Sequence, residues 1–490
     1  MSSIPIQHVF VLMLENRAFD HMLGFSGVTG TDAATGHPTS INGLTGKETN
    51  SWNGETGKVS EPADNVMTVD PGHEFPDVLC QLGGADAIYT PGASYPAIDN
   101  SGFMASYAKT CAKAGLQRDP AEILKCFSPS QLPVLNALAS EFAICDNWYA
   151  SMPGPTWPNR MFAHGASSSG LDHSPTIAEI AVWELTGFAF PNGDIFDRIA
   201  AHGLTRRLYA GDLFPMMAAL KGIHLDDVRP FEHFASDLQT SFDYNYVFIE
   251  PSYNVTQDYR GSTSQHPLDD VRSGENLIKI VYEAIRNSSV WPNSVLIVTW
   301  DEHGGFFDHV SPPPAVAPGD TTPGAGHNTY GFTFERYGPR VPAVVVSPLI
   351  AKNTIDHRLY DHASIPATIE RLFGLAPLTD RDRAANDVLS LLSLAAPRDT
   401  PASLRSPAAA LLSPAAAPAS LAARPNDSVN DGNLPIVILA AMHQDMELSA
   451  PGQRENIIAR VAGLKTRGDA ANYLNQVAAK HSTRPARAGA

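Results

Sequence analysis

Four stretches run apolar at consecutive positions and then stop at polar residues: 6–14 (IQHVFVLML), 246–250 (YVFIE), 295–299 (VLIVT) and 340–347 (RVPAVVVS). Uninterrupted β-branched and apolar runs of this length are the pattern of strands buried on both faces of a parallel sheet. Between them the period changes to that of helices. Leu277, Ile280, Val281 and Ile285 put one apolar face on a helix over 273–286, and Leu132, Leu135 and Leu138 do the same within 129–142. Residues 104–114 and 194–202 read as helices too. A short helix over 19–24 closes on Gly24, and another runs from Asp361 to Phe373 with Asp361 or Ser364 as its natural cap. Helix and strand in alternation predict an α/β fold around a parallel sheet.

The remaining stretches are punctuated rather than periodic. Residues 27–70 are rich in Gly, Thr, Asn, Ser and Pro and read as a long excursion over the sheet. In 144–160 (ICDNWYASMPGPTWPNR), prolines at 153, 155 and 158 argue against helix or central strand, so the segment is expected to be a stiff, exposed turn ahead of a helix-like stretch over 159–164. Pro312, Pro313 and Pro314 open a Gly/Pro/Thr-rich loop reaching 329. Residues 1–394 read as one large domain, 395–424 as an Ala/Pro-rich linker, and 425–490 as a small helical appendage. Within that appendage 435–446 and 457–464 look apolar on one side, and no catalytic residue types concentrate there.

Composition narrows the function. A chain of 490 residues with 43% hydrophobic content can bury a sizeable core, and a net charge of -17 opposes nucleic-acid binding. Cys80, Cys111, Cys126 and Cys145 lack the short spacings of a zinc cluster, and disulfides are permitted without being implied. No secretory signal is visible, so the expected location is cytoplasmic, or outside by a route the sequence does not show. No run reaches the ~20 apolar residues of a membrane span, so any membrane contact is expected to be peripheral.

The chemistry gathers where the apolar runs end. Asp301 and Glu302 follow one strand and precede Gly304 and Gly305; Glu15 and Asn16 follow another. Open α/β sheets bind ligands at such carboxyl ends, and carboxylates there suit a hard cation or proton transfer. The ordinary alternative is helix capping, and it loses weight because two strand ends share one composition. Thr156, fixed among prolines before a helix, suits a nucleophile near a helix N-terminus, although spacing alone favours an ordinary N-cap. A divalent cation beside it would lower the hydroxyl pKa and orient attack on phosphorus, giving a covalent phospho-threonine. His73 and His266 could bind phosphoryl oxygens or protonate the leaving alkoxide.

Four motifs in order carry a resemblance: ENRAFDHMLG from Glu15, PGPTWPNR from Pro153, TWDEHGGFFDHVSPPP from Thr299 and YDHASIPATIERLFG from Tyr360. Over 6–392 the chain resembles the phosphoesterase family of bacterial phosphatidylcholine-type phospholipases C and acid phosphatases, within the alkaline phosphatase-like superfamily. The resemblance implies a three-layer α/β/α sandwich with a mostly parallel central sheet. It implies that Glu15, Asn16, Thr156, Asp301 and Glu302 hold one divalent metal ion, calcium or zinc. Thr156 then corresponds to the nucleophile, and His73 and His266 to histidines lining the phosphate pocket. His303 stands near enough in the motif to touch substrate, His309 reads as a core histidine, and Arg160 as a structural ion pair more than a phosphate ligand. Asp361-His362 is a signature without a derivable role. The expected activity is phospholipase C-like hydrolysis of a phosphodiester, including a phospholipid at a membrane surface. The alternatives are an acid phosphatase on soluble monoesters, sulfate-ester hydrolysis, disfavoured by the nucleophile motif, and an inactive binding module. The family's longer phospholipases C carry an export leader and paired C-terminal β-domains that this chain does not show.

Overall fold

The computed structural model describes residues 5–186, 189–320, 327–409 and 424–483. Its strands in chain order are β1 (His8–Leu14), β2 (Thr29–Asp32), β3 (Pro38–Ser40), β4 (Thr49–Trp52), β5 (Glu55–Lys58), β6 (Ala143–Cys145), β7 (Arg206–Ala210), β8 (Val228–Pro230), β9 (Tyr246–Glu250), β10 (Ser294–Trp300), β11 (Ala343–Val346) and β12 (Thr354–Asp356). Ten of them form one sheet in the order β3-β2-β12-β6-β11-β10-β1-β9-β7-β8. The apolar runs occupy its middle. β1 lies parallel to both β10 and β9, and its register matches His8 to Ser294 and Leu14 to Trp300, so the two strands end level. Every residue of β1 and β10 is buried, because helices cover the sheet on both faces. The result is a three-layer α/β/α sandwich with a mostly parallel sheet. β11 alone runs against both of its neighbours in the middle of the sheet.

The helices over 103–113, 195–201 and 271–286 fall where their periodicity places them, the second capped by Asp194 and the third by Asp270. The excursion over 27–70 holds more structure than its composition suggests. β2 and β3 extend the sheet at one edge, and β4 pairs with β5 in a separate hairpin.

The segment over 144–160 corrects two expectations. It is buried, not exposed, with Thr156, Trp157, Asn159 and Arg160 inside the protein. A helix also begins at Thr156 itself and runs Thr156–Gly165, in spite of the prolines. Pro155 precedes the helix and Pro158 stands in its first turn, where a backbone N–H has no helical partner to lose. Arg381 roofs the segment, donating from Nη1 to the Ser151 carbonyl at 3.1 Å, while its guanidinium lies over the Phe162 ring.

The helix Ser364–Phe373 is not capped by either residue the sequence offered. Ala363 precedes it without a side-chain bond, and Asp361 instead accepts hydrogen bonds from Ser151 Oγ (2.9 Å) and Arg381 Nη1 (3.1 Å). All four cysteines are buried free thiols.

Of the segment over 395–424, residues 410–423 lie outside the described residues, as do 321–326 of the proline-rich loop. Its first part follows the core, with Leu404 buried and Arg398 paired to Glu141 at 2.6 Å. Three helices close the chain: Leu434–Leu448, Arg454–Ala462 and Arg467–Ser482. The first is buried on all sides over its first nine residues rather than on one face. Ile436, Ile438 and Met442 join the same continuous apolar core as the central strands. Among the described residues no helix is long and apolar enough to cross a membrane.

Candidate active site

The adjacent parallel strands β10, β1 and β9 bring Asp301, Glu15 and Glu250 to one edge of the sheet, all buried. The turns after β1 and β10 are locked together. Asp301 Oδ1 accepts from the backbone N–H of Asn16 (3.0 Å) and of Glu302 (2.8 Å). Asn16 has φ 55°, a left-handed conformation that asparagine tolerates. Gly304 is required by close approach as well as by φ 65°, since a Cβ there would stand 2.2 Å from the Asn16 carbonyl oxygen.

Thr156 joins this group directly. It opens a helix of ten residues and donates from Oγ1 to Asn16 Oδ1 at 3.2 Å, so the hydroxyl sits at the positive end of a helix, bonded to the turn after β1. One turn on, Arg160 donates from Nε to Asp301 Oδ2 (2.9 Å) and from Nη2 to the Leu14 carbonyl (2.9 Å), and its Nη1 lies 3.8 Å from Glu250 Oε1. Arg160 is therefore the structural ion pair, fixing three strand ends.

Histidines line the other side. His73 Nδ1 donates to the Pro71 carbonyl (3.0 Å) and is 4.0 Å from Glu302 Oε1. His266 sits 3.4 Å from Asp70 Oδ2 and stacks on Tyr259. His303 donates from Nε2 to Gln81 Oε1 at 2.7 Å and brings Nδ1 to 3.3 Å from Glu302 Oε2. His309 pairs with Asp20 at 2.7 Å. His362 acquires a role no sequence argument supplied: it accepts from Trp148 Nε1 at Nδ1 (3.3 Å), so Nε2 carries its proton and donates to the Asp301 carbonyl at 2.6 Å. It holds the end of β10 in place.

Burial sets the electrostatics. Desolvation, then the Asp301 charge, pushes the Glu15 carboxyl well above its ordinary range. Desolvation likewise raises Asp301 to about 6 and Glu250 to about 7, against the pull of Arg160. Burial lowers His266 despite Asp70. At His73 burial also pulls downward, but Glu302, Asp70, Glu74 and Asp77 outweigh it and hold the imidazole at about 9.

At the three strand ends the buried carboxylate oxygens Glu15 Oε2, Glu250 Oε2 and Glu302 Oε1 have no hydrogen-bond partner. Unpartnered carboxylate oxygens at neighbouring strand ends fit a cation. Among the described residues, Asp20, Asp308 and His309 are the trio whose ligand atoms fall within 4.8 Å of one another; Glu15, Asp301 and Glu302 do not converge that closely. Arg340 already brings positive charge to the trio, since its Nη2 and Nε donate to Asp20 Oδ1 and Asp308 Oδ1, each at 2.9 Å.

Two buried residues of this site escaped sequence reasoning. Glu250 had a signal: YVFIE is a third apolar run ending in a carboxylate. Asn433, from the last part of the chain, donates from Nδ2 to Glu15 Oε1 at 2.7 Å and had none.

Fold and site define an α/β sandwich enzyme that sets buried carboxylates against a hydroxyl at a helix N-terminus. The chain belongs to the phosphoesterase family, whose model matches residues 6–376, and it is a hydrolase of phosphoric ester bonds. It is 34% identical over 426 residues to non-specific phospholipase C6 of Arabidopsis thaliana, covering 82% of this chain and 75% of that one. Non-specific phospholipase C3 of the same plant is 32% identical over 421 residues, covering 82% and 76%. Phospholipase C B of Mycobacterium tuberculosis is 26% identical over 431 residues, covering 80% and 78%. A solved protein of the alkaline phosphatase superfamily from Vibrio parahaemolyticus aligns over 52% of this chain and 64% of its own, with 15% identity and a TM-score of 0.32, a likeness too low to add to the fold.

Proposed function

We propose that the protein hydrolyses phosphodiesters in the manner of a phospholipase C, through a phospho-threonine at Thr156. The observation that carries this reading is the Thr156 hydroxyl at a helix N-terminus, 3.2 Å from Oδ1 of Asn16, which follows Glu15 at the end of β1. The names of the plant and mycobacterial relatives support a phospholipid as the diester.

Glu15, Asn16, Thr156, Asp301 and Glu302 would hold one divalent ion, calcium or zinc, which supplies charge neutralisation and an acidified hydroxyl when bound. Asp301 has little capacity to spare, since Oδ1 serves two amides and Oδ2 serves Arg160. The chain's own groups do the rest. The Thr156 hydroxyl passes its proton to water and its oxygen attacks phosphorus, the ester bond to the alcohol breaks, and the backbone N–H groups at the start of the 156 helix face the phosphoryl oxygens. His73, an imidazolium at neutral pH, gives the departing alkoxide its proton. His266, neutral in its buried setting, accepts the Leu268 N–H at Nδ1, so its single N–H, at Nε2, would go to a phosphoryl oxygen in place of Asp70. Water then attacks phosphorus and gives a proton to the neutral His73 left by the first step, the bond to Thr156 Oγ1 breaks, and that oxygen takes a proton back from water.

The test measures p-nitrophenol release from p-nitrophenylphosphorylcholine and phosphate release from p-nitrophenyl phosphate. Wild type is expected to prefer the diester and to lose activity with a chelator. Thr156→Ala is expected to lose at least ~10³-fold in kcat with an unchanged melting midpoint. Activity on the monoester alone moves the protein to the acid-phosphatase reading, and a fully active Thr156→Ala overturns the mechanism.

A further inference from the structure

The closing helices bring chemistry to the site that their composition does not advertise. Asn433 lies just before the helix Leu434–Leu448, is buried, and reaches Glu15 across 418 positions of sequence. Its Nδ2 occupies Glu15 Oε1, which leaves Oε2 as the one oxygen of that carboxylate without a protein partner. An amide suits this place. It donates a hydrogen bond without adding charge to a group that already faces Asp301.

The same turn supports a second side of the site. The Asn433 backbone hydrogen-bonds Tyr259, whose ring lies flat on His266 at 3.4 Å between centroids. A Cβ on Gly432 would come 3.2 Å from Tyr259 Oη. Arg467 fastens the turn to the loop that carries Tyr259, donating from Nη1 to Asp431 Oδ2 (2.8 Å) and from Nη2 to Asp258 Oδ1 (2.6 Å) and the Val255 carbonyl (2.8 Å). One short stretch of the C-terminal segment thus touches the surroundings of both Glu15 and His266.

We propose that Asn433 is a positioning residue for catalysis: it fixes the Glu15 carboxylate so that Oε2 alone is presented to the reacting centre, as a single-oxygen ligand for the cation. The inference rests on the phosphoesterase reading above. Groups that orient a ligating carboxylate matter because a ligand free to rotate holds its ion more loosely.

The experiment uses the full chain and compares wild type, Asn433→Ala, Asn433→Gln, Ile458→Ala and Thr156→Ala. It reads kcat and KM on p-nitrophenylphosphorylcholine, calorimetric Kd for calcium and for zinc, and the melting midpoint. Asn433→Ala is expected to lower kcat by about 10–100-fold and to weaken the tighter ion by a similar factor, with KM little changed. Asn433→Gln keeps the amide and is expected to recover part of both. Ile458→Ala removes a buried side chain of the helix Arg454–Ala462 and is expected to lower the midpoint while leaving kcat intact. Wild-type kcat and Kd in Asn433→Ala overturn the proposal. So does an equal loss of kcat in Ile458→Ala, which would mark bundle stability as the cause. A wild-type chain that binds neither ion overturns the single-oxygen ligand role, and an active Thr156→Ala strikes the underlying mechanism instead.

Discussion

His73 is the residue whose charge the site controls most visibly. Its surrounding carboxylates outweigh burial and hold it at about 9, above the ordinary histidine value of ~6.5. A raised pKa means that its stabilising contribution is complete below ~6.5 and disappears as pH rises through about 9. In the proposed role of acid for the leaving group it would act over the same range. His73→Gln is expected to lose about 10²-fold in kcat at pH 7 together with the alkaline limb of the profile, as pH–rate measurements would show. Much of the site at this scale was legible beforehand. Glu15, Asn16, Asp301 and Glu302 stand out because a buried apolar run stops at each pair, and Thr156 because its helix follows at once. His362 and Asn433 were illegible because each acts through a partner remote in sequence, Asp301 and Glu15, and a lone histidine or asparagine in a turn carries no periodic signal.

At the scale of elements, the turn after β1 and the turn after β10 are joined by backbone bonds and then braced from behind. Arg340, fully buried, ties Asp20 of the helix Phe19–Leu23 to Asp308 beyond the strand end. Arg340→Met strands two buried carboxylates and is expected to cost about 3–5 kcal/mol in urea unfolding. Retained stability would mean that the acids are solvated after all. β1, β9, β10 and β11 could be read from sequence because both of their faces are buried and no polar residue interrupts them. β2, β3 and β12 could not. They are three or four residues long and owe their existence to neighbours in the sheet more than to their own propensity. The helix at Thr156 was hidden by a rule applied too broadly, since proline excludes helix from the interior and not from its first turn.

Across the whole molecule, order in space has little to do with order in sequence. The sheet pairs residues 8–14 with 294–300, and the C-terminal helices share one apolar core with the central strands. A chain ending at residue 424 would expose the apolar surface that Ile436, Ile438 and Met442 cover, and it is expected to aggregate in size-exclusion chromatography and to lose activity. A monodisperse, fully active truncation would show the helices to be dispensable. Such topology also folds slowly, because distant segments must meet before their contacts reward the search. The bond between Glu15 and Asn433 extends this to synthesis. A ribosome adding 5–20 residues each second needs ~20–90 s to travel from the first of these residues to the second. Thr156, Asp301 and Glu302 all emerge within that interval and ahead of Asn433, so the corner of the site around Glu15 is the last to be completed on the ribosome.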